Sequence, residues 1–190
     1  MSITIRPARA EDGPALGRMG GALVRLHHSY DAQRFMAPAE DVESGYQWWL
    51  SRELKRQGAV VLVAERDGAV VGYVYATVEG RDWNALLDAH GELHDVWVEE
   101  SARGSGVAGL ILEELVRRLK ARGVPRIILM SASKNETAQR LFARHGWRPT
   151  MVEMTREVED AEDQGGGAPW EPDAGRRRGV SRPRVRKGAQ

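Results

Sequence analysis

The chain has 190 residues, of which 42% are hydrophobic and 29% are charged, as in globular proteins and unlike a wholly disordered chain. No segment offers the roughly 18 apolar residues that a membrane-spanning helix needs, and the N-terminal residues lack the apolar core of a secretory signal. The sequence contains no cysteine, which excludes disulfides, cysteine-ligated zinc and a cysteine nucleophile. We therefore expect a cytoplasmic protein that does not enter the membrane.

The net charge of +1 is unevenly distributed along the chain. Residues 1–158 balance acids against bases, whereas residues 159–190 contain an acidic patch, a glycine run, three prolines and a basic end. Such a segment buries too little apolar surface to offset the entropy of ordering its backbone. We predict one folded domain over residues 1–158 and a disordered tail over residues 159–190, and only that basic tail raises the question of nucleic acid.

The first predicted elements are a strand and two helices. Residues 3–6 favour a short strand, and residues 11–26 favour a helix that opens with acids and a proline and repeats apolar residues at helical spacing. Residues 27–38 are expected to form a loop, and residues 40–57 a second helix. Three glycines weaken the first helix by propensity, so we expect packing to stabilise it: Gly17, Gly20 and Gly21.

An antiparallel meander and a strand–helix–strand crossover follow. The remaining predicted elements are strands at 59–65, 69–78 and 92–98, a helix at 107–122, a strand at 126–130, a helix at 135–145 and a strand at 147–158. An Asp-Gly hairpin turn joins the strands at 59–65 and 69–78. The order β-α-α-β-β-β-α-β-α-β predicts an α/β fold of the α+β type, with a mixed, mostly antiparallel central sheet and helices on both faces.

The glycine-rich loop at residues 103–109 carries the strongest chemical signal. Glycines let the backbone approach a ligand closely, and the free N–H groups that begin the next helix attract an anion such as a phosphate. The glycines could instead serve packing alone. The pattern Gly104-x-Gly106-x-x-Gly109 also fits a dinucleotide motif, but the glycines do not directly follow a strand and residues 126–133 lack the expected acid.

Three segments in order carry a family pattern. In residues 92–108, Arg103, Gly106 and Ala108 meet the signature (Gln/Arg)-x-x-Gly-x-(Gly/Ala). Residues 135–147 match the pattern Asn-x-x-Ala-x-x-Leu-Tyr-x-x-x-Gly-Phe in most positions, and residues 5–12 are typical of the same family's first strand and helix. Together they resemble motif A, motif B and the opening of the GNAT superfamily of acetyl-coenzyme A-dependent N-acetyltransferases. The resemblance covers about residues 3–158.

The resemblance implies acetyl-coenzyme A (acetyl-CoA) as co-substrate, lying in a cleft beside the motif A strand. Its pyrophosphate would contact the N–H groups of the glycine loop, and its pantetheine the backbone of that strand. Phe142 stands where the family usually carries a tyrosine acid, so water or another residue would protonate the leaving thiolate, or no acid is used. The implied cofactor-binding residues are Val96, Trp97, Val98, Arg103, Gly104, Ser105, Gly106, Val107, Ala108, Gly109, Asn135 and Phe142.

The implied reaction is direct attack of an amine on the thioester in a ternary complex, which needs a base for the ammonium proton. The candidate catalytic residues are Glu92, His94 and Asp95 on the predicted third strand of the meander, with a chain of water molecules as the alternative. Strand alternation places Glu92 and His94 on one face and Asp95 on the other, unless a bulge intervenes.

The acceptor and the partners are less determined by the sequence. A small-molecule amine or a protein amine remains open, and a homodimer is compatible with the sequence. No metal site is expected, because the neighbouring His27 and His28 lack a third ligand in register. The rival hypothesis is a non-catalytic acetyl-CoA-binding or nucleic-acid-associated protein that acts through its basic tail.

Overall fold

The computed structural model describes residues 2–158, and the predicted disordered tail lies outside these residues. The described part contains five strands and four α-helices, with single 3-10 turns before α1 and α3. Their bounds are β1 Ile3–Pro7, α1 Gly13–Tyr30, α2 Val42–Glu53, β2 Val60–Arg66, β3 Ala69–Glu79, β4 His90–Val98, α3 Val107–Ala121, β5 Ile127–Leu129 and α4 Glu136–Arg144.

The five strands form one sheet in the order β1-β2-β3-β4-β5. The first four strands pair antiparallel, and β5 runs parallel to β4. Alternate residues of β2 face opposite sides: Leu62 contributes to a core with α3, whereas Val63 contributes to a core with α1 and α2. The predicted mixed, mostly antiparallel sheet with helices on both faces is therefore confirmed.

Two stretches differ from the sequence prediction. The first helix continues to Tyr30 through residues that were expected to form a loop, because no proline or glycine interrupts it there. The predicted last strand at residues 147–158 is wrong, since these residues pair with no strand. Met151 and Met154 are almost fully exposed, and Glu153 forms an ion pair with Arg34. Alternation of apolar and polar residues gives a segment two different faces. A strand also needs the edge of another strand to pair with, and the pattern does not provide that edge.

The glycines of α1 lie on the face that contacts α2. A Cβ atom at Gly17 would lie 2.6 Å from the backbone oxygen of Glu43, and one at Gly20 would overlap the ring of Tyr46. The absence of side chains thus lets the two helices approach closely. Packing offsets the low helix propensity of glycine, as the sequence predicts.

Candidate active site

A cleft opens where β4 and β5 separate. The two strands pair only at three positions, the last of them Leu93 opposite Leu129. β4 continues to Val98, paired with β3 on one side, while the chain after β5 turns towards α4. Among the residues that the structure describes, no strand lies along the other edge of β4 from residue 94 to residue 98. The backbone of Val96, Trp97 and Val98 therefore borders an open edge, and its contact with pantetheine stays a prediction.

A β-bulge in β4 lies at the mouth of this cleft. Tyr75 of β3 lies opposite Asp95 and Ala76 opposite Leu93, which leaves His94 as the extra residue. Thr77, on the same face of β3 as Tyr75, lies opposite Glu92. Glu92 and Asp95 consequently share a face, whereas simple alternation would put them on opposite faces. The sequence predicted opposite faces unless a bulge intervened, and a bulge does intervene in this strand.

His94 lies on the same face as these two carboxylates. Its Nε2 atom is 2.8 Å from the hydroxyl oxygen of Thr77, and its ring stacks on Tyr75 at 4.8 Å between centroids. The imidazole is exposed and Glu92 is half-buried, so both side chains are accessible to a substrate. The structure thus brings all three candidate catalytic residues to the side of the sheet that α1 and α2 cover.

Asp95 differs from the other two candidates because it is enclosed. It is only 8% exposed, and its Oδ2 atom accepts hydrogen bonds from Tyr46 at 2.5 Å and Tyr73 at 3.1 Å. Burial raises the pKa of Asp95, although both hydroxyl hydrogen bonds oppose this rise by stabilising the carboxylate. Burial also raises the pKa of both tyrosines, so they keep their protons and act as donors. The arrangement suits an anchor better than a proton acceptor for a substrate.

The glycine loop provides an open space before α3. Gly106 is the N-cap of α3 with φ +84°, and Gly104 has φ +75°, both in the left-handed region that side chains disfavour. Apart from its own chain neighbours, no heavy atom within residues 2–158 lies within 4 Å of the position of a Cβ at either glycine. The N–H groups of the first turn of α3 lack partners within the helix. With the helix dipole, these features form a site where a phosphate fits.

Other residues of the loop make contacts with the rest of the fold. The Ser105 hydroxyl donates to the carbonyl of Ala102 at 2.7 Å, and Val107 is buried in the core. A Cβ at Gly109 would lie 3.0 Å from the ring of His145, so this glycine is needed for packing against the end of α4. Their backbone groups remain candidates for ligand contact, but their residue types are explained by structure.

Arg103 and Trp97 form a pair at the rim of the loop. The guanidinium lies over the indole ring at 5.1 Å, and its Nε donates to the carbonyl of Val98 at 3.1 Å. These contacts hold the cation between the open edge of β4 and the glycine loop. Ala108, in the first turn of α3, is half-buried.

Comparison with known proteins identifies the family. The sequence model of the Acetyltransferase (GNAT) family matches residues 23–147, which includes the cleft, the bulge and the glycine loop. The chain belongs to this family. It is also similar to an uncharacterized N-acetyltransferase from Archaeoglobus fulgidus, with 29% identity over 110 residues, 57% of this chain and 70% of that protein. The protein is thus an acetyltransferase of the GNAT family.

Solved structures of low sequence identity share the fold of this GNAT protein. A tetramutant protein from Bacillus halodurans superimposes with a TM-score of 0.69 at 22% identity, covering 82% of this chain and 99% of that one. A predicted acetyltransferase from Clostridium acetobutylicum, solved with acetyl-CoA, gives a TM-score of 0.62 at 16% identity, covering 81% of this chain and 96% of that one.

The two motif B candidates of this GNAT domain occupy different environments. The side-chain oxygen of Asn135 caps α4 by accepting from the N–H of Ala138 at 3.1 Å, which leaves its amide nitrogen as the group that could contact a ligand. Phe142 is only 7% exposed and lies in the core, with its ring 5.9 Å from that of Trp147. A contact between Phe142 and the cofactor stays a prediction, and it requires the ring edge to reach the cleft.

Sequence reasoning missed Tyr46, the residue of α2 that donates a hydrogen bond to Asp95. Tyr46 lies 49 positions before Asp95 in the chain, and no local motif marks it. Trp49 makes edge contacts with both Tyr46 and Tyr75 and completes an aromatic cluster beside His94. The only sequence signal was the glycine content of α1, because a helix face without side chains implies a bulky neighbour.

Two further properties concern the described residues alone. Within residues 2–158, no three His, Asp or Glu side chains gather as a metal ion would require. The helices of this part of the chain are too short or too polar to cross a membrane.

Proposed function

We propose that this GNAT protein transfers the acetyl group of acetyl-CoA to a primary amine by direct attack in a ternary complex. The observation that carries the proposal is a juxtaposition: the open edge of β4 links the free space at Gly104 and Gly106 to a bulge that presents Glu92 and His94. The structural neighbour from Clostridium acetobutylicum, which contains acetyl-CoA, supports the choice of donor.

The chain's own residues account for donor binding without a metal ion. The first-turn N–H groups of α3 bind the pyrophosphate, with Arg103 at the rim as a cation. The open backbone of β4 from Val96 to Val98 hydrogen-bonds the pantetheine amides as an added strand would. The amide of Asn135 lies at the beginning of α4. Acetyl-CoA supplies the activated acetyl group.

Glu92 is the proposed base, and His94 is the alternative. The carboxylate of Glu92 accepts a proton from the ammonium form of the acceptor, whose nitrogen then attacks the thioester carbon. His94 has its Nε2 engaged by Thr77, so Nδ1 is the atom that could accept a proton. Asp95 is not assigned this role, because two tyrosine hydroxyls occupy its oxygen and protein encloses it.

The departing thiolate needs little help from an acid. When the carbon–sulfur bond breaks, the sulfur takes the electron pair and then, through water, the second proton that the attacking nitrogen loses as the amide forms. A thiol with a pKa of about 8.5 is already a fair leaving group. Tyr75 is a poor donor here, because burial and its hydrogen bond to Glu53 at 2.5 Å raise its pKa.

Phe142→Tyr should not restore a missing acid. The ring is enclosed in the core, so the new hydroxyl would be buried without a partner and should cost about 1–3 kcal/mol of unfolding free energy. We expect no gain in single-turnover acetyl transfer, and a lower denaturant midpoint. A faster variant of unchanged stability would contradict this expectation and would place the ring edge at the thioester.

The proposed function is tested by binding and then by turnover. Calorimetry of the full chain with acetyl-CoA should show saturable binding, and a screen of amines by mass spectrometry should then find an acetylated product. Small amines, amino sugars, amino acids and peptides with free N-termini or lysines form the panel. The absence of both heat and product would contradict the proposal. Binding without any product would favour the non-catalytic rival, as would salt-dependent nucleic-acid binding that is lost on deletion of residues 159–190.

A further inference from the structure

Tyr46 connects α1, α2 and the bulge of β4. Its ring lies over Gly20, where any side chain on α1 would overlap it. The next position is also close, because a Cβ at Gly21 would lie 2.7 Å from the Glu43 side chain. Because the glycine face of α1 has no side chains, α2 packs closely enough for Tyr46 to reach the sheet.

At the sheet, Tyr46 contacts the residue that follows the bulge. Its hydroxyl donates to Asp95 at 2.5 Å, and Asp95 is the direct neighbour of His94 in the chain. A second route also reaches the bulge: Tyr46 packs on Trp49, Trp49 on Tyr75, and Tyr75 stacks on His94. Removal of the Tyr46 hydroxyl would abolish the hydrogen bond to Asp95 and keep the ring contacts through Trp49 and Tyr75.

We propose that Tyr46 is a positioning residue for acetyl transfer: through its hydrogen bond to Asp95 it holds the bulge of β4 in the geometry that presents His94 and Glu92 to the acceptor. The inference rests on the proposed function. A buried carboxylate without hydrogen bonds is costly in free energy, so Asp95 stays at the position where Tyr46 and Tyr73 donate hydrogen bonds to it. Bulges re-aim side chains next to active sites, and this one is fixed at its Asp95 end by two hydroxyls.

The groups that face Asp95 determine how this contact responds to pH. They are the hydroxyls of Tyr46 on α2 and Tyr73 on β3, and the imidazoles of His27 on α1 and His94 on β4. Each of them favours the carboxylate, whereas burial favours the protonated acid and raises the pKa of Asp95. Loss of the Tyr46 hydroxyl should raise this pKa further. The free energy that the hydroxyl contributes is present when Asp95 is ionised and is lost as the pH falls through the pKa of Asp95.

Tyr46→Phe tests the proposal with little change in shape. We expect kcat to fall about tenfold, because small displacements of catalytic groups are costly, with the Kd for acetyl-CoA unchanged. The acid limb of the pH–rate profile should move to higher pH, which a merely structural role would not cause. In denaturant unfolding, the loss of stability should be larger at neutral pH than at acidic pH.

A double-mutant cycle shows whether Tyr46 acts through Asp95. In an Asp95→Asn background, Tyr46→Phe should cause much less further loss of kcat than it does in the wild type, because the charged acceptor is already absent. Additive effects would overturn the proposal. Gly20→Ala provides a second route to the same result: it displaces the ring without removing the hydroxyl and should also lower kcat, in a chain that circular dichroism shows to be folded.

The outcomes separate this inference from the proposed function. A wild type that acetylates no amine would overturn both. An active wild type, together with a folded Tyr46→Phe variant of unchanged kcat and unchanged pH–rate profile, would overturn only the positioning role.

Discussion

Gly106→Val is expected to raise the Kd for acetyl-CoA by about 100-fold or more, because charge-assisted hydrogen bonds to phosphate contribute about 1.5–3 kcal/mol each. The space beside Gly106 is open, and a valine side chain would occupy it directly in front of the first turn of α3. Calorimetry with acetyl-CoA measures the effect. Binding that remains normal would contradict the assignment of the pyrophosphate site.

The same substitution also strains the backbone, and a matched variant separates the two effects. Gly106 has φ +84°, a conformation that valine rarely adopts. Gly123, just beyond the other end of α3, has φ +76° and equally open space around it. Gly123→Val should therefore lower the denaturant midpoint similarly while acetyl-CoA binding stays at the wild-type level. If both variants lose acetyl-CoA binding, the loss in Gly106→Val results from destabilisation of the domain and not from a blocked pyrophosphate site.

Glu92→Gln is expected to lower kcat by about 10²–10⁴-fold, the usual contribution of a general base. The amide keeps the size of the side chain but cannot accept a proton, and Glu92 is half-buried on the face of the sheet that also carries His94. The Kd for acetyl-CoA should stay near the wild-type value, because the residue lies away from the glycine loop. Steady-state rates with the amine found in the screen provide the measurement.

The pH dependence of this variant gives a sharper test. The loss should be largest at low pH, where the acceptor is protonated, and should shrink as the pH approaches the pKa of the amine, since a free amine needs no base. Glu11→Gln makes the same chemical change at an exposed carboxylate, 69% accessible, at the beginning of the domain, and should leave kcat unchanged. A wild-type rate in Glu92→Gln would transfer the role to His94 or to water.

Much of the fold could be predicted because its signals are local. The period of apolar residues predicted α3 and the buried strands, and glycine and proline marked most of their ends. The family pattern in residues 92–108 and 135–147 pointed to an acetyltransferase, which the match over residues 23–147 confirms. The exposed segment after α4 was mispredicted for the opposite reason: a strand requires a partner edge, which its own residues do not encode.

The candidate site divides in the same way. Sequence patterns alone predicted the glycine loop, the start of α3 and the set of carboxylates and histidine on β4, because each is a short run of neighbouring residues. Which of these side chains share a face depends on strand pairing, since the bulge at His94 is a mismatch between two strands and is visible only when they are paired. The enclosure of Asp95 also depends on the tertiary structure, because Tyr46 and Tyr73 reach it from elements distant in the chain. Tyr46 can do so only because α2 packs closely against the glycine face of α1.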